Sequence, residues 1–179
     1  MVRFISDLHL YDSCMFAWRP GVRTLIEYSD IVLRNWNETV SDDDVTIVVG
    51  DIGNCHRETL DVFREMRGTK VLVVGNHDME WIDKIYESQI FAAIHKYLFN
   101  ESFLITHIPK KCCTVFPTYR IHGHHHEYTS PSMSNAYNDY VFDVNRFNCC
   151  ADLIGTRPRT LTELMMFKAI LIEEGIAAN

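Results

Sequence analysis

Apolar segments of two kinds alternate along the first half of the chain. Residues 2–6, 45–49 and 70–74 are short apolar runs, and the second is almost wholly β-branched. Such runs are typical of strands buried on both faces of a parallel sheet. Between them, apolar residues recur at helical spacing, which predicts helices over residues 22–37 and 57–66. The alternation predicts a β-α-β-α-β unit.

The second half of the chain has a different, more β-rich pattern. We predict a helix over residues 79–88 and four further strands, at residues 93–99, 102–106, 119–122 and 140–144. Asn100 and Glu101 separate two of these strands and predict a hairpin turn. Thr160 and Glu163 form a capping box, which predicts a last helix that runs to about residue 174 and ends at Gly175. The element order predicts an α/β sandwich with a mixed sheet core, in a single domain over residues 1–179.

Composition and charge narrow the class of protein. The chain has 179 residues, of which 47% are hydrophobic and 23% charged, and its net charge is −7. An acidic balance argues against a general nucleic-acid or membrane-surface binder, which needs a basic face. No apolar run approaches the ~20 residues of a membrane span, and the first residues lack the apolar core of an export signal. We therefore expect a cytoplasmic protein whose six cysteines are reduced.

Polar residues capable of metal binding follow five of the predicted strands. These segments are Asp7-Leu8-His9, Gly50-Asp51, Gly75-Asn76-His77-Asp78, His107 and Gly123-His124-His125-His126. In open α/β sheets, ligands bind at the carboxyl ends of the strands. Each fragment alone is weak evidence, since a lone histidine is more often structural, but five fragments in order are hard to explain by chance.

The spacing within two of these segments favours a shared site. In extended backbone alternate side chains share a face, so Asp7 and His9 point the same way, as do His124 and His126. Carboxylates and imidazoles that converge on one edge are costly when unpaired, and bound metal ions remove that cost. We therefore expect a metal cluster at this edge.

The five segments together resemble the signature of the calcineurin-like metallophosphoesterase family. That signature reads D-x-H, G-D-x-x, G-N-H-[DE], an isolated His and G-H-x-H, and the match extends from residue 7 to residue 126 with no block missing. The resemblance implies a four-layer α/β sandwich with mixed β-sheets that holds two divalent metal ions.

The resemblance also implies a role for each residue of the signature. The first metal ion would be held by Asp7, His9 and His126, and the second by Asn76, His107 and His124. Asp51 would bridge both ions. His77 would face the substrate phosphate, and Asp78 would orient His77. His125 is an additional histidine beyond the family pattern, although the spacing favours His124 and His126 as ligands.

The chemistry of these residues agrees with the resemblance. Imidazole together with carboxylate suits manganese, iron, zinc or nickel, and we expect manganese. Two ions about 3.5–4 Å apart can share a hydroxide that attacks phosphorus, while His77 protonates the leaving oxygen. The predicted function is hydrolysis of a phosphodiester or phosphomonoester in a small phosphoester or nucleotide. One alternative is a different phosphate-releasing enzyme, either a nucleotide pyrophosphohydrolase or a protein phosphatase. The other alternative is a catalytically silent protein-binding scaffold. The sequence does not decide whether the protein forms a homo-oligomer.

Four further polar residues have both structural and functional interpretations. Asn54 follows the second block and is equally suited to either. Arg57 fits the first turn of a solvated helix better than a substrate contact. His122 is interpreted as structural, and His95 as a surface residue of the hairpin.

Overall fold

Two four-stranded sheets form the centre of the computed structural model, which describes residues 1–16, 19, 21–54, 57–109, 118–126 and 145–173. The strands of the first sheet, all parallel and in this order, are β1 (Val2–Ile5), β2 (Val45–Val48), β3 (Thr69–Val73) and β4 (Ala93–His95). Those of the second are β5 (Leu98–Phe99), β6 (Phe103–Thr106), β7 (Tyr119–His122) and β8 (Arg146–Asn148). β5 is antiparallel to β6, and the other pairs of this sheet are parallel.

Helices accompany both sheets and complete the predicted α/β sandwich. They are α1 (Ser13–Phe16), α2 (Leu25–Thr39), α3 (Arg57–Glu65), α4 (Ile82–Ser88), α5 (Ala151–Ile154) and α6 (Leu161–Glu173), with a 3₁₀ turn at Asp78–Trp81 before α4. The main core lies where α2 and α3 meet the first sheet. Trp36 and Phe63 are fully buried there, with ring centroids 6.2 Å apart. Their burial explains the apolar stripe in the sequence of both helices.

Local signals in the sequence specify several element ends as expected. Thr160 and Glu163 form the reciprocal capping box at the start of α6, with main-chain N–H to side-chain oxygen distances of 2.7 and 3.3 Å. The Asn100 side chain accepts hydrogen bonds from the main-chain N–H groups of Ser102 and Phe103, both at 2.8 Å, and so closes the predicted β5–β6 hairpin.

The structure corrects the prediction of one strand over residues 93–99. This stretch forms two strands, of which β4 pairs with β3 and β5 pairs with β6 in the other sheet. The chain therefore passes between the sheets here, and the apolar pattern cannot reveal a change of pairing partner. The short helix α1 was not predicted, and the predicted strand at residues 140–144 lies outside the described residues.

The two sheets are joined at the carboxyl ends of β1 and β8. The main-chain N–H of Ser6 donates to the carbonyl oxygen of Cys149 at 2.9 Å, and the Ala151 N–H donates to Ser6 O at 2.9 Å. This junction brings the loops that follow the strands of both sheets to a common edge. The residues that the sequence marks as metal-binding lie in those loops.

Two further expectations concern the chain as a whole. No helix in the described part of the chain has the length and apolar character that a membrane span requires. Cys14, Cys149 and Cys150 are free thiols, as expected, whereas Cys55, Cys112 and Cys113 lie outside the described residues.

Candidate metal centre

The structure gathers the predicted metal-binding side chains at the common edge of the two sheets. Among the predicted ligands, two groups have ligand atoms within 4.8 Å of one another: Asp7, His9 and His126, and Asp51, His107 and His124. A third group in the described part of the chain shares His126 with the first and consists of His126, Cys150 and Asp152. The second group also includes Asn76, whose Oδ1 lies 3.1 Å from His107 Nε2. All seven predicted ligand residues are thus close together. His125 belongs to none of these groups.

Asp51 belongs to the second group and also faces a histidine of the first. Its Oδ2 atom is 3.1 Å from His107 Nε2 and 3.8 Å from His9 Nε2. Asp7 lies on the other side, with Oδ1 3.7 Å from His126 Nε2 and 3.9 Å from His107 Nε2. A carboxylate that faces histidines of both groups is suited to contact two cations at once.

The backbone that carries these side chains adopts an uncommon conformation. Positive φ angles occur at Asp7 (56°), His9 (44°), Asp51 (52°) and His124 (69°). Non-glycine residues rarely adopt such angles, and they cluster at functional sites where the surrounding structure holds them in place. The site is therefore built from strained turns at the strand ends, rather than from the extended segments assumed for residues 7–9 and 124–126.

Neighbouring glycines make room for the two carboxylates. A Cβ atom at Gly75 would overlap the side chain of Asp51, and a Cβ atom at Gly123 would overlap the side chains of Asp7 and Ser6. Only glycine leaves space for these carboxylates at the ends of β3 and β7. The glycines of the sequence motifs thus have a steric role at the site.

Three of the histidines use one ring nitrogen for the protein and direct the other to the site. The Nδ1 partners are Asp12 for His9 (3.2 Å), the Val49 carbonyl for His107 (2.8 Å) and Asp152 for His126 (2.6 Å). The His9 Nε2 atom is buried and has no hydrogen-bond partner within the described part of the chain. Outer partners of this kind are typical of metal-binding histidines, because they fix the tautomer that leaves Nε2 free. The donor set therefore fits divalent cations.

Close packing of opposite charges shifts the ionisation of the central pair. Burial disfavours the charged imidazole of His107, but the hydrogen bond to Asp51 and the charges of Asp7 and Asp51 outweigh it and raise the pKa of His107 to about 9. Burial also opposes the ionised form of Asp51, yet the same histidine holds the pKa of this carboxyl below its usual value. The pair is a carboxylate and an imidazolium, and the proton of the imidazolium competes with a cation for His107 Nε2.

Asp78 contacts the main chain rather than the imidazole of His77. Its carboxylate is fully buried and accepts hydrogen bonds from the N–H groups of Asp51 (2.9 Å), Ile52 (2.9 Å) and Gly75 (2.8 Å). Burial outweighs these bonds and raises the pKa of Asp78 to about 6. The Asp78 side chain points into the protein and therefore does not orient His77 as expected. It instead connects the turn at Asp51 to the end of β3.

His77 lies on the open side of the site. The residue is exposed, its main-chain N–H donates to Asp51 Oδ1 at 2.9 Å, and its ring centroid is 5.1 Å from that of His9. The hydrogen bond ties the backbone of His77 to the central carboxylate. The imidazole is therefore next to the metal-binding groups and accessible to a molecule that approaches from solvent.

The polar residues with two interpretations divide between the surface and the interior. Asn54 Nδ2 donates to the Tyr11 carbonyl at 3.0 Å, which gives it a structural contact in the loop beside the site. Arg57 is exposed, as is His95, and both match the surface interpretation. His122 is buried, and burial lowers its pKa to about 3.

The sequence analysis missed three residues that support the site. Asp12 contacts His9, while Arg19 contacts Asp152 and donates to the Asp7 carbonyl at 3.1 Å. A carboxylate three residues after a candidate ligand histidine is a usable signal, and it marks Asp12. Asp152 carries no such signal, since it lies on the short helix α5 that the sequence did not predict.

Comparison with known proteins identifies the family of this chain. The calcineurin-like phosphoesterase family matches residues 2–163, and the chain belongs to this family of metal-dependent phosphoesterases. It is 26% identical to the uncharacterized protein MJ1445 of Methanocaldococcus jannaschii, over 97% of this chain and 92% of that protein. It is also similar to the crystal structure of AQ665, a protein of unknown function from Aquifex aeolicus: the TM-score is 0.64 at 26% identity, over 89% of this chain and 94% of that one.

Proposed function

We propose that the protein hydrolyses phosphodiester or phosphomonoester bonds at a centre of two divalent metal ions. The observation that carries the proposal is the position of Asp51, whose Oδ2 faces His107 in one ligand group and His9 in the other. A carboxylate that faces two sets of donors is suited to a pair of ions, whereas a single ion would leave one set of donors without a cation. Membership of the calcineurin-like phosphoesterase family supports the class of reaction.

Each residue of the site has a part in this proposal. Asp7, His9 and His126 would hold one ion, Asn76, His107 and His124 the other, and Asp51 both. When bound, two divalent ions supply a nucleophile at neutral pH and neutralise charge on the phosphoryl group. The mixed imidazole and carboxylate donors favour manganese, with iron, zinc and nickel as alternatives.

His77 is the residue that we propose acts directly on the leaving group. It is exposed beside the ring of His9, so a phosphoester lying over the ligand groups would bring its leaving oxygen within reach. A protonated imidazole there would donate its proton to that oxygen. Such general-acid help contributes typically about 10²–10⁴-fold to the rate.

The substrate that fits this site is a small phosphoester or a nucleotide. Two divalent ions carry four positive charges, of which Asp7 and Asp51 together offset two. The loaded site would therefore attract an anion, although the whole chain has a net charge of −7. The ligand groups lie at the open edge of the sheets, with Asn76 and His77 exposed. We propose that hydrolysis takes place in the cytoplasm.

A chelation experiment tests the proposal. Protein stripped with a chelator is reloaded with Mn²⁺ and assayed on bis(p-nitrophenyl) phosphate and p-nitrophenyl phosphate, and bound manganese is counted. We expect two ions per chain and metal-dependent release of nitrophenol. The substrate that is hydrolysed faster indicates whether the protein prefers diesters or monoesters. Asp51→Asn should bind less than one ion and lose the activity, because both groups share this carboxylate.

Asp61→Asn is the matched control for this experiment. Asp61 is a half-exposed residue of α3 paired with Arg57 and Arg64, so the same chemical change there should leave both metal content and activity unaltered. Two tightly bound ions in Asp51→Asn would contradict the bridging role. Metal binding without hydrolysis of any phosphoester would contradict the enzymatic proposal and favour the scaffold alternative.

A further inference from the structure

A chain of short polar contacts connects three residues behind the first ligand group. His126 Nδ1 is 2.6 Å from Asp152 Oδ2, and Asp152 Oδ1 accepts a hydrogen bond from Arg19 Nε at 2.8 Å. Arg19 Nη2 donates to the main-chain carbonyl of Asp7 at 3.1 Å. The chain therefore starts at one expected metal ligand, His126, and returns to another, Asp7.

We propose that Asp152 is a positioning residue that holds His126 in the tautomer with its proton on Nδ1, and that Arg19 fixes Asp152 for this task. The inference rests on the proposed metal centre, since it assigns these residues a role toward its ligands. A carboxylate accepts the Nδ1 proton and leaves the Nε2 lone pair directed toward Asp7, 3.7 Å away. An imidazole with its proton on Nε2 could not bind a cation there.

The geometry favours Asp152 over the other nearby acceptor. Cys150 Sγ also approaches His126 Nδ1, but at 3.6 Å and from a fully buried position. A neutral thiol at that distance is a weak acceptor, whereas a carboxylate oxygen at 2.6 Å makes a short, charge-assisted hydrogen bond. Asp152 therefore determines the tautomer.

Arg19 is itself held rigidly, which is why it can fix Asp152. Its side chain is only 6% exposed, and its guanidinium carbon lies 4.1 Å from the centroid of the Tyr28 ring. Packing of the guanidinium on the ring and the hydrogen bond to the Asp7 carbonyl leave this group little freedom. Asp152 thus has a fixed cation on one side and an imidazole on the other.

The variant that tests the proposal is Asp152→Asn. Asparagine has nearly the same shape, and its amide oxygen is expected to stay toward the Arg19 Nε donor, which requires an acceptor. The N–H₂ group then faces Nδ1, donates to it and moves the imidazole proton to Nε2. The nitrogen NMR spectrum of protein labelled with ¹⁵N-histidine reads this directly, once the pH has been raised until the His126 signals no longer shift and the imidazole is neutral. The His126 signals are assigned by their absence in His126→Gln. We expect an Nδ1–H imidazole in the unaltered protein and an Nε2–H imidazole in Asp152→Asn.

Metal affinity gives the second reading. Titration of Mn²⁺ into chelator-treated protein should show one of two sites weakened about 10–100-fold in Asp152→Asn, with the other retained. Arg19→Gln should keep the Nδ1–H tautomer and weaken the same site less. Asp61→Asn, the same change at an exposed ion pair, should alter neither reading.

Several results would overturn the inference. A His126 imidazole with its proton on Nε2 in the unaltered protein would overturn the inference without any variant. The test can therefore be made even if Asp152→Asn fails to fold. An unchanged tautomer in a folded Asp152→Asn would overturn the inference as well. A third bound metal ion that disappears in Cys150→Ser would instead make Asp152, Cys150 and His126 ligands of that ion. Protein that binds no manganese would contradict the proposed function, while the nitrogen spectrum would still decide the role of Asp152.

Discussion

His107 Nε2 lies 3.1 Å from Asp51 Oδ2, although His107 follows β6 of one sheet and Asp51 follows β2 of the other. The contact connects the two sheets across the candidate metal centre. It also places an imidazolium where a cation would bind, because Asp51 and Asp7 together raise the pKa of His107 to about 9 against the effect of burial. The proton on His107 and a metal ion therefore exclude each other.

This exclusion predicts pH-dependent metal binding. Since the proton must leave before Nε2 can bind a cation, manganese affinity should rise between about pH 6 and pH 9, by up to about tenfold per pH unit. Isothermal titration calorimetry in two buffers of different ionisation enthalpy measures the released protons. His95→Gln, at an exposed histidine on β4, should leave the profile unchanged. Affinity independent of pH, with no proton release, would contradict this account.

The exposed position of His77 predicts a selective loss of catalysis. His77→Ala should lower kcat by about 100-fold or more, because the proton donor to the leaving oxygen is removed, while two manganese ions remain bound. Turnover and metal content are measured on the same preparation. The control is His95→Ala, which removes an exposed imidazole on β4 away from the ligand groups. Near-normal turnover in His77→Ala would remove this residue from the proposed mechanism.

Gly75→Ala tests the steric role of glycine at the site. The added methyl group would overlap the Asp51 side chain, so we expect both a loss of manganese affinity and a destabilisation of about 1–3 kcal/mol. Urea denaturation and metal titration give the two values. Gly155→Ala is the comparison, since Gly155 has a positive φ but open space around it. This substitution should lower the free energy of unfolding only through backbone strain and should leave metal binding intact. Unimpaired metal binding in Gly75→Ala would show that Asp51 does not need the space.

Burial of His122 predicts acid sensitivity. Its pKa is about 3 in the folded protein and about 6.5 when unfolded, so the neutral form is the one that the fold accommodates. The contribution of this residue to stability is complete above about pH 6.5 and decreases as the pH falls, by about 2 kcal/mol at pH 5. Urea unfolding at pH 7 and pH 5, with chelator present, measures this loss. Between pH 7 and pH 5, the free energy of unfolding of His122→Gln should fall by about 2 kcal/mol less than that of the unaltered protein. His95→Gln should show the same fall as the unaltered protein.

Much of the fold could be predicted because its signals are local. The β-branched runs of β2 and β3 and the capping box of α6 depend on residues that are neighbours in sequence. The division of residues 93–99 between β4 and β5 could not be predicted, because strand pairing depends on residues far away in the chain. The 3₁₀ turn before α4 was not predicted either, and it begins at Asp78, whose side chain contacts the distant Asp51 turn.

The side chains available at the strand ends follow from local sequence, since each motif combines a strand with the polar residues after it. Asp7 and Asp51 are such residues, and they could be identified without any structure. The residues that contact these ligands from behind depend on tertiary packing. Asp152 and Arg19 are 133 residues apart in sequence, and Asp78 faces the main chain rather than His77. Hydrogen bonds of this kind arise from the packing of separate elements, which no local pattern encodes.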